Sequence, residues 1–136
     1  MRKLAEFEET IGFKLPDSYR TFLISQNGGS CKADAITLEN GVEVLCDQLY
    51  GLDKVDALDL NFWFKEFEGE IPFGFVIIGS DPGGGVYLLS EVKNNWEIFY
   101  YDHQYSFPES SDEMNTYKAD ISLNNLLKLA GYSSYA

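Results

Sequence analysis

The apolar positions of the chain fall into a succession of short periodic blocks. Leu4, Phe7 and Ile11 recur at helical spacing and Gly12 follows them, which predicts an amphipathic helix over residues 2–11. In "LPDSYRTFLISQNGG", Pro16 suits the first helical position and Asp17 and Ser18 suit the first turn. Tyr19, Phe22 and Leu23 make one apolar face before Asn27-Gly28 offers a left-handed stop. Alternation then takes over. "ITLENGVEVLCDQLYGL", within residues 35–52, predicts two short strands joined by a hairpin at Asn40-Gly41. Asp56 is placed to cap a third helix, in which Leu60, Trp63, Phe64 and Phe67 share a face and Gly69 marks the end. "FVIIG" and "VYLLS" predict strands on either side of Asp81-Pro82-Gly83-Gly84-Gly85. "NNWEIFYYDH" predicts a third, with Trp96, Ile98 and Tyr100 on one face and Glu97, Phe99 and Tyr101 on the other. A polar loop over roughly 104–118 leads to Ser122, which can cap a last helix carrying Leu123, Leu126, Leu127 and Ala130 inward before Gly131.

This order predicts one α+β domain over residues 1–136: a mostly antiparallel mixed sheet with helices packed on one face and a C-terminal helix. With 45% hydrophobic and 15% aromatic residues in 136, the chain has enough apolar material for a single substantial core. The sequence has neither a long uncharged apolar run nor an apolar block after the basic pair Arg2-Lys3, so a soluble, cytoplasmic protein is expected. Cys31 and Cys46 stand apart from one another and from any histidine cluster. They fit reduced, partly buried thiols better than a metal site or a disulfide scaffold.

The net charge of −12 is regional. Residues 1–38 hold five acids and five bases, residues 39–70 nine acids against Lys54 and Lys65, and residues 101–120 five acids against Lys118. Such a surface repels nucleic acid and anionic lipid and speeds encounter with a basic partner, although acidic residues also serve solubility alone.

The catalytic and cofactor signatures do not hold up. Gly79 and Gly84 have phosphate-loop spacing, but Gly85-Val86 stands where lysine and a hydroxyl residue are required. A dinucleotide fingerprint needs a small residue at Leu88 and a helix where a strand is predicted. The run reads instead as a sharp turn needing positive φ. His103, the only histidine, follows Asp102 on what would be the opposite face of a strand, so the two do not form a catalytic couple. Asp53, Asp56 and Asp59 lack the order of a calcium loop, and no carboxylate pair stands out for glycoside hydrolysis. No catalytic residue, metal or cofactor is expected. The tyrosines dense from Tyr100 to Tyr117 could serve as core, as a protein-binding patch or as a sugar platform.

"IGFKLPDSYRTFLISQNGG", "LYG", "IPFGFVIIGSDPGGGVYLLS" and "WEIFYYDH" together resemble the successive blocks of the SUKH superfamily, over about residues 5–131. The leading block carries the likeness furthest, with Gly12, Leu15, Pro16, Tyr19, Phe22, Leu23, Asn27 and Gly28 in order. Members often place an acidic residue after the last glycine of the turn, where this chain has Val86. The resemblance implies helices on a mostly antiparallel sheet and no catalytic residues. It also implies a function, since bacterial members typically neutralise polymorphic toxins, while relatives in yeast regulate cell-wall assembly.

The resulting expectation is a non-enzymatic immunity protein whose acidic surface binds a basic protein toxin such as a nuclease, with no nucleic acid and no membrane as partner. The pool for the contact surface is Asp47, Tyr50, Asp53, Asp56, Glu66, Glu68, Asp81, Tyr101, Asp102, Glu109, Asp112 and Glu113. The alternative is a regulatory or scaffold domain that binds a host protein.

Overall fold

A computed structural model describes residues 2–104, 107, 108, 110, 111 and 115–132. The first two helices, α1 (Arg2–Ile11) and α2 (Asp17–Ser25), lie where the apolar spacing puts them. Pro16 precedes α2 in an extended conformation, one position outside the expected start. Leu4, Phe7 and Ile11 are buried as expected, and so is Glu8. Its carboxylate accepts hydrogen bonds from Leu15 N at 2.8 Å and from Arg20 Nε at 3.0 Å, which tie α1 to α2. A buried carboxylate is tolerated only with such partners.

Asn27 leaves α2 in the left-handed conformation, at φ 56°, and its side chain clamps a distant segment. Nδ2 donates to Leu52 O at 2.8 Å, and Oδ1 accepts from Leu52 N at 2.7 Å. The approach is close enough that a Cβ on Gly51 would lie 2.2 Å from Asn27 O, which requires glycine there. "QNGG" and "LYGL" are thus two sides of one contact.

Four two-residue strands follow α2: β1 (Gly29–Ser30), β2 (Ile36–Thr37), β3 (Glu43–Val44) and β4 (Gln48–Leu49). The expected hairpin is β2–β3, closed through Asn40-Gly41 with Leu38 N on Val42 O at 2.9 Å. It stands apart as a two-stranded sheet, while β1 and β4 join the main one.

The cap expected at Asp56 is not made. Asp56–Leu58 is a single 3-10 turn without a side-chain cap bond, and α3 begins at Leu60 (Leu60–Glu66). The reason is tertiary. Gly51 N donates to Leu58 O and Leu60 N to Gly51 O, so the backbone before α3 is paired with the segment that Asn27 holds. Only Leu60 of the expected apolar face is fully buried. Trp63 instead stacks on buried Tyr50, with centroids 5.2 Å apart and planes 4° from parallel.

The main sheet is completed by β5 (Phe75–Ser80), β6 (Val86–Val92), β7 (Asn95–Tyr101) and β8 (Thr116–Lys118), in the order β1-β4-β5-β6-β7-β8. Every strand pair is antiparallel, and the only parallel contact among the described residues is the bridge of Gly51 to Asp59. β8 lies inside the expected polar loop. At three residues it carries no periodicity of its own, and pairing with β7 creates it.

Cross-strand partners share a face. Tyr87, Tyr100 and Tyr117 are opposite one another, as are Val76, Leu89 and Ile98, and all six are buried. The other face carries Leu88, Phe99 and Lys118 in one row and Tyr101 and Thr116 in the next. It is only partly covered, since Phe99 is half-buried and Lys118 exposed. The last helix, α4 (Leu123–Leu129), packs on β7, and Ser122 Oγ caps it by accepting from Asn125 N at 3.1 Å. No helix among the described residues is long and apolar enough to cross a membrane.

Two outcomes follow from this packing. Asn27→Ala removes both clamp bonds and leaves the Leu52 amide and carbonyl under-satisfied. Urea unfolding should show a loss of about 2–4 kcal/mol with little change in slope. At high pH, burial resists ionisation of Tyr19, Tyr50, Tyr87 and Tyr100, raising all four phenols above their ordinary 10.0 and Tyr50 to about 12. The unfolded chain releases these protons near pH 10 and the folded one does not. Stability is therefore complete below pH 10 and falls above it, by up to about 1.4 kcal/mol per pH unit per phenol. Tyrosinate absorbance from the buried set should rise together with loss of secondary structure, and a rise well before unfolding would contradict the packing.

Candidate functional site

The glycine turn between β5 and β6 resembles a phosphate cradle in composition, and its geometry is the reverse of one. Asp81 fills the concavity of its own turn. Its Oδ2 accepts from Gly83 N at 3.0 Å and from the Tyr100 hydroxyl at 3.0 Å, and its Oδ1 accepts from Leu45 N at 3.1 Å. An incoming phosphate would meet a carboxylate where it needs donors. Gly84 has φ +101°, and a Cβ on Gly85 would lie 2.0 Å from Tyr100, so these two positions require glycine for conformation and for space. The Tyr100 phenol is pushed up by burial and then by the charge of Asp81, which keeps it a donor.

His103 closes the turn from the other side. Its Nε2 is 2.6 Å from Gly84 O, and because a carbonyl only accepts, the proton is on Nε2. The ring lies against Phe67 and Tyr101, with centroids 5.1 Å and 5.8 Å away. Asp102, 1% exposed, accepts instead from Phe107 N at 2.9 Å and from the Ser110 hydroxyl at 2.7 Å. Both residues serve the architecture of the turn and of the segment after β7.

The open surface lies elsewhere, on the connector from α3 to β5. Gly69 and Gly74 take positive φ at its two ends. Between them the chain presents Phe73, which is 79% exposed and rests edge-on against Phe13 at 5.7 Å. Gly12 leaves room for that ring, since a Cβ there would come within 2.9 Å of it. A groove runs on either side of the connector. One lobe, about 210 Å³, is lined by Ile11, Phe64, Phe67, Phe73 and Ile77 with Glu68 at its edge. The other, about 470 Å³, is lined by Leu88, Tyr101, Asn115 and Thr116 of the less covered sheet face, with Glu70. Ile71, Pro72 and Phe75 belong to both lobes. Glu68 and Glu70 are exposed along this connector and Glu66 at the last position of α3, and Glu70 also accepts a hydrogen bond from the Tyr101 hydroxyl.

The pool of contact residues expected from the sequence divides accordingly. Glu68 is exposed at the groove, and Glu66 is exposed at the last position of α3. Asp53 and Asp56 are exposed on the segment before α3, and Asp53 shares a separate hollow with Lys3, Lys54 and Asp59. Asp47 is exposed beside β4. Asp81 is half-buried and committed to its turn. Tyr50 at 1%, Tyr101 at 8% and Asp102 at 1% exposure are core residues in this conformation. Tyr101 alone of these reaches a groove wall, while Tyr50 and Asp102 are buried beneath the surface. Glu109, Asp112 and Glu113 lie outside the described residues. The acids thus occupy several places, and among the described residues no three of His, Cys, Asp and Glu converge as metal ligands.

Sequence reasoning missed Glu70 and Phe73. The alternating acids of "EFEGE" and an aromatic between Pro72 and Gly74 were the available signal, because an apolar side chain within a turn has little of its own segment to pack against.

Gly85→Ala tests the turn. The methyl group must displace Tyr100 from Asp81, and the expected cost is about 3 kcal/mol or more in chemical denaturation. A variant as stable as the parent would show that the ring is not held where it is described.

No curated protein and no solved structure matches the chain. The model of the SMI1 / KNR4 family (SUKH-1) matches residues 2–122, which include both helices of the first block, the glycine turn and the whole main sheet. The chain belongs to the SMI1 / KNR4 family (SUKH-1).

Proposed function

We propose that this chain is a non-catalytic immunity protein that binds a basic protein toxin, such as a nuclease, and covers its working surface. Membership of SUKH-1, a family of generally non-catalytic domains often concerned with toxin immunity, supports the general reading. The observation that carries the specific one is the exposed Phe73 set in an apolar groove whose lining includes Glu68 and Glu70, with Glu66 exposed at the adjoining end of α3. An apolar anchor beside a run of like charge is the arrangement that combines slow dissociation with steered association. A toxin built to hold phosphates exposes lysine and arginine, and the three carboxylates would meet these groups as nucleic acid does. Lys65 is the one base within the run from Leu60 to Glu70, so the local field is negative. Glu66 and Glu68 of the expected pool, together with Glu70 and Phe73, form the proposed contact surface, and the protein would act in the cytoplasm of the toxin's producer.

Co-purification with the product of the adjacent gene, followed by calorimetry, tests the reading. The expected result is a tight complex whose affinity falls at least ~10-fold between about 50 and about 300 mM salt. Phe73→Ala should weaken it ~10-fold or more through faster dissociation, and reversal of Glu66, Glu68 and Glu70 to lysine should slow association and flatten the salt dependence. Phe73, Glu66 and Glu68 are exposed, so variants at these three should melt within a few degrees of the parent, whereas Glu70→Lys removes the acceptor of the Tyr101 hydroxyl and should melt lower. Affinity indifferent to salt and to all four substitutions would overturn the proposed surface, and a neighbouring product that does not bind would overturn the immunity reading.

A further inference from the structure

The two cysteines, 15 residues apart in sequence, are brought into contact by the edge of the main sheet. β1 and β4 pair with Gly29 opposite Leu49 and Ser30 opposite Gln48, and the ladder extends through Cys31 N donating to Asp47 O at 3.0 Å. Cys31 thus leaves the end of one strand as Cys46 approaches the start of the other. Their Sγ atoms lie 2.9 Å apart, less than an ångström beyond the ~2.05 Å of an S–S bond, and both thiols are free.

We infer that Cys31 and Cys46 form a reversible modification site, in which a peroxide converts the thiol pair to an intramolecular disulfide. The two sulfurs are not equivalent. Cys31 is half-buried and open to a small oxidant, whereas Cys46 is 2% exposed. The hydrogen bond the thiols share lowers the Cys31 pKa and, with burial, raises that of Cys46. Cys31 is therefore the attacking thiolate and Cys46 the resolving thiol. The Cys31 thiolate attacks the peroxide, breaks its O–O bond and becomes a sulfenic acid, releasing hydroxide, which takes up a proton as water. The Cys46 sulfur then displaces the sulfenic oxygen as a second water. In sum two thiols and one hydrogen peroxide give one disulfide and two waters, with two electrons passing from sulfur to oxygen.

The bridge would close the chain around the β2–β3 hairpin, whose own pairs are confined to Ile36–Val44 and Thr37–Glu43. Little movement is needed. The neighbour of Cys46 is already fixed, with Leu45 N on Asp81 and Leu45 O accepting from the Tyr87 hydroxyl at 2.6 Å. A disulfide constrains the unfolded chain more than the folded one, so the oxidised protein should melt roughly 5–10 °C higher.

The test treats the full chain with a few equivalents of hydrogen peroxide, followed by alkylation, intact mass and peptide mapping. The expected product is a monomer lighter by two hydrogens, closed to alkylation, with a Cys31–Cys46 cross-linked peptide that a phosphine reopens. Cys46→Ser should accumulate a dimedone-reactive sulfenic acid at Cys31, and Cys31→Ser should react far more slowly. Both serine variants should lose the upward shift in melting temperature. The inference is overturned if both thiols of the parent remain open to alkylation, if the product is only an intermolecular dimer, or if Cys46 is oxidised as readily as Cys31 in the single variants. It stands apart from the immunity reading, because no toxin enters the experiment.

Discussion

The Asp81 carboxylate is the point on which the rest of the molecule depends. Three donors from three parts of the chain converge on it: the Gly83 amide of its own turn, the Tyr100 hydroxyl of β7 and the Leu45 amide that precedes β4. The first fixes the reversal between the two central strands. The second fixes β7 against them, and the third brings the segment after the β2–β3 hairpin to the sheet edge. A half-buried carboxylate is acceptable because its lone pairs are taken by donors from fixed positions, and removing it would strand all three. The same convergence fills the hollow that a phosphate cradle would line with donors. The concavity of the turn is already negative and already satisfied.

From that junction the two faces of the sheet take different roles. The face of Tyr87, Leu89, Ile98 and Tyr100 is sealed and supplies much of the core. The opposite face is covered only in part, by α3 and the connector after it, with Phe67 edge-on to Tyr101 at 6.0 Å, while Phe75 of β5 and Phe99 of β7 meet edge-on on the sheet itself at 5.6 Å. Sealing one face gives the domain its stability, and partial cover on the other leaves room for a groove. Phe73 stays outside because its segment turns at Gly69 and Gly74 before any element can close over it. A buried apolar core thus coexists with an exposed aromatic side chain among acidic neighbours.

The clamp between Asn27 and Leu52 organises the other end. It holds the segment that pairs with Asp59 and Leu60, so it sets where α3 begins and hence where the acidic connector emerges. Residues far from the groove therefore position it. The same edge of the sheet, through β1 and β4, brings the two thiols into contact.

Much of this was legible along the chain. The spacing of Leu4, Phe7 and Ile11, the cap at Ser122, the Asn40-Gly41 hairpin and the three long strands follow from local periodicity and turn chemistry, because each has enough consecutive residues to bury one face. The same reading places glycine at the turn after Asp81 and rejects a phosphate loop there. What the sequence could not determine is what depends on contacts between distant segments. β1, β4 and β8 are two or three residues long and exist only through their partners, the start of α3 is dictated by Gly51, and Glu8 is buried because Leu15 and Arg20 await it. Charge counted residue by residue marks an acidic region, but exposure is a property of the packed surface. The tertiary structure alone buried Tyr50 and Asp102, left Glu66, Glu68, Glu70 and Phe73 outside, and set Cys31 against Cys46.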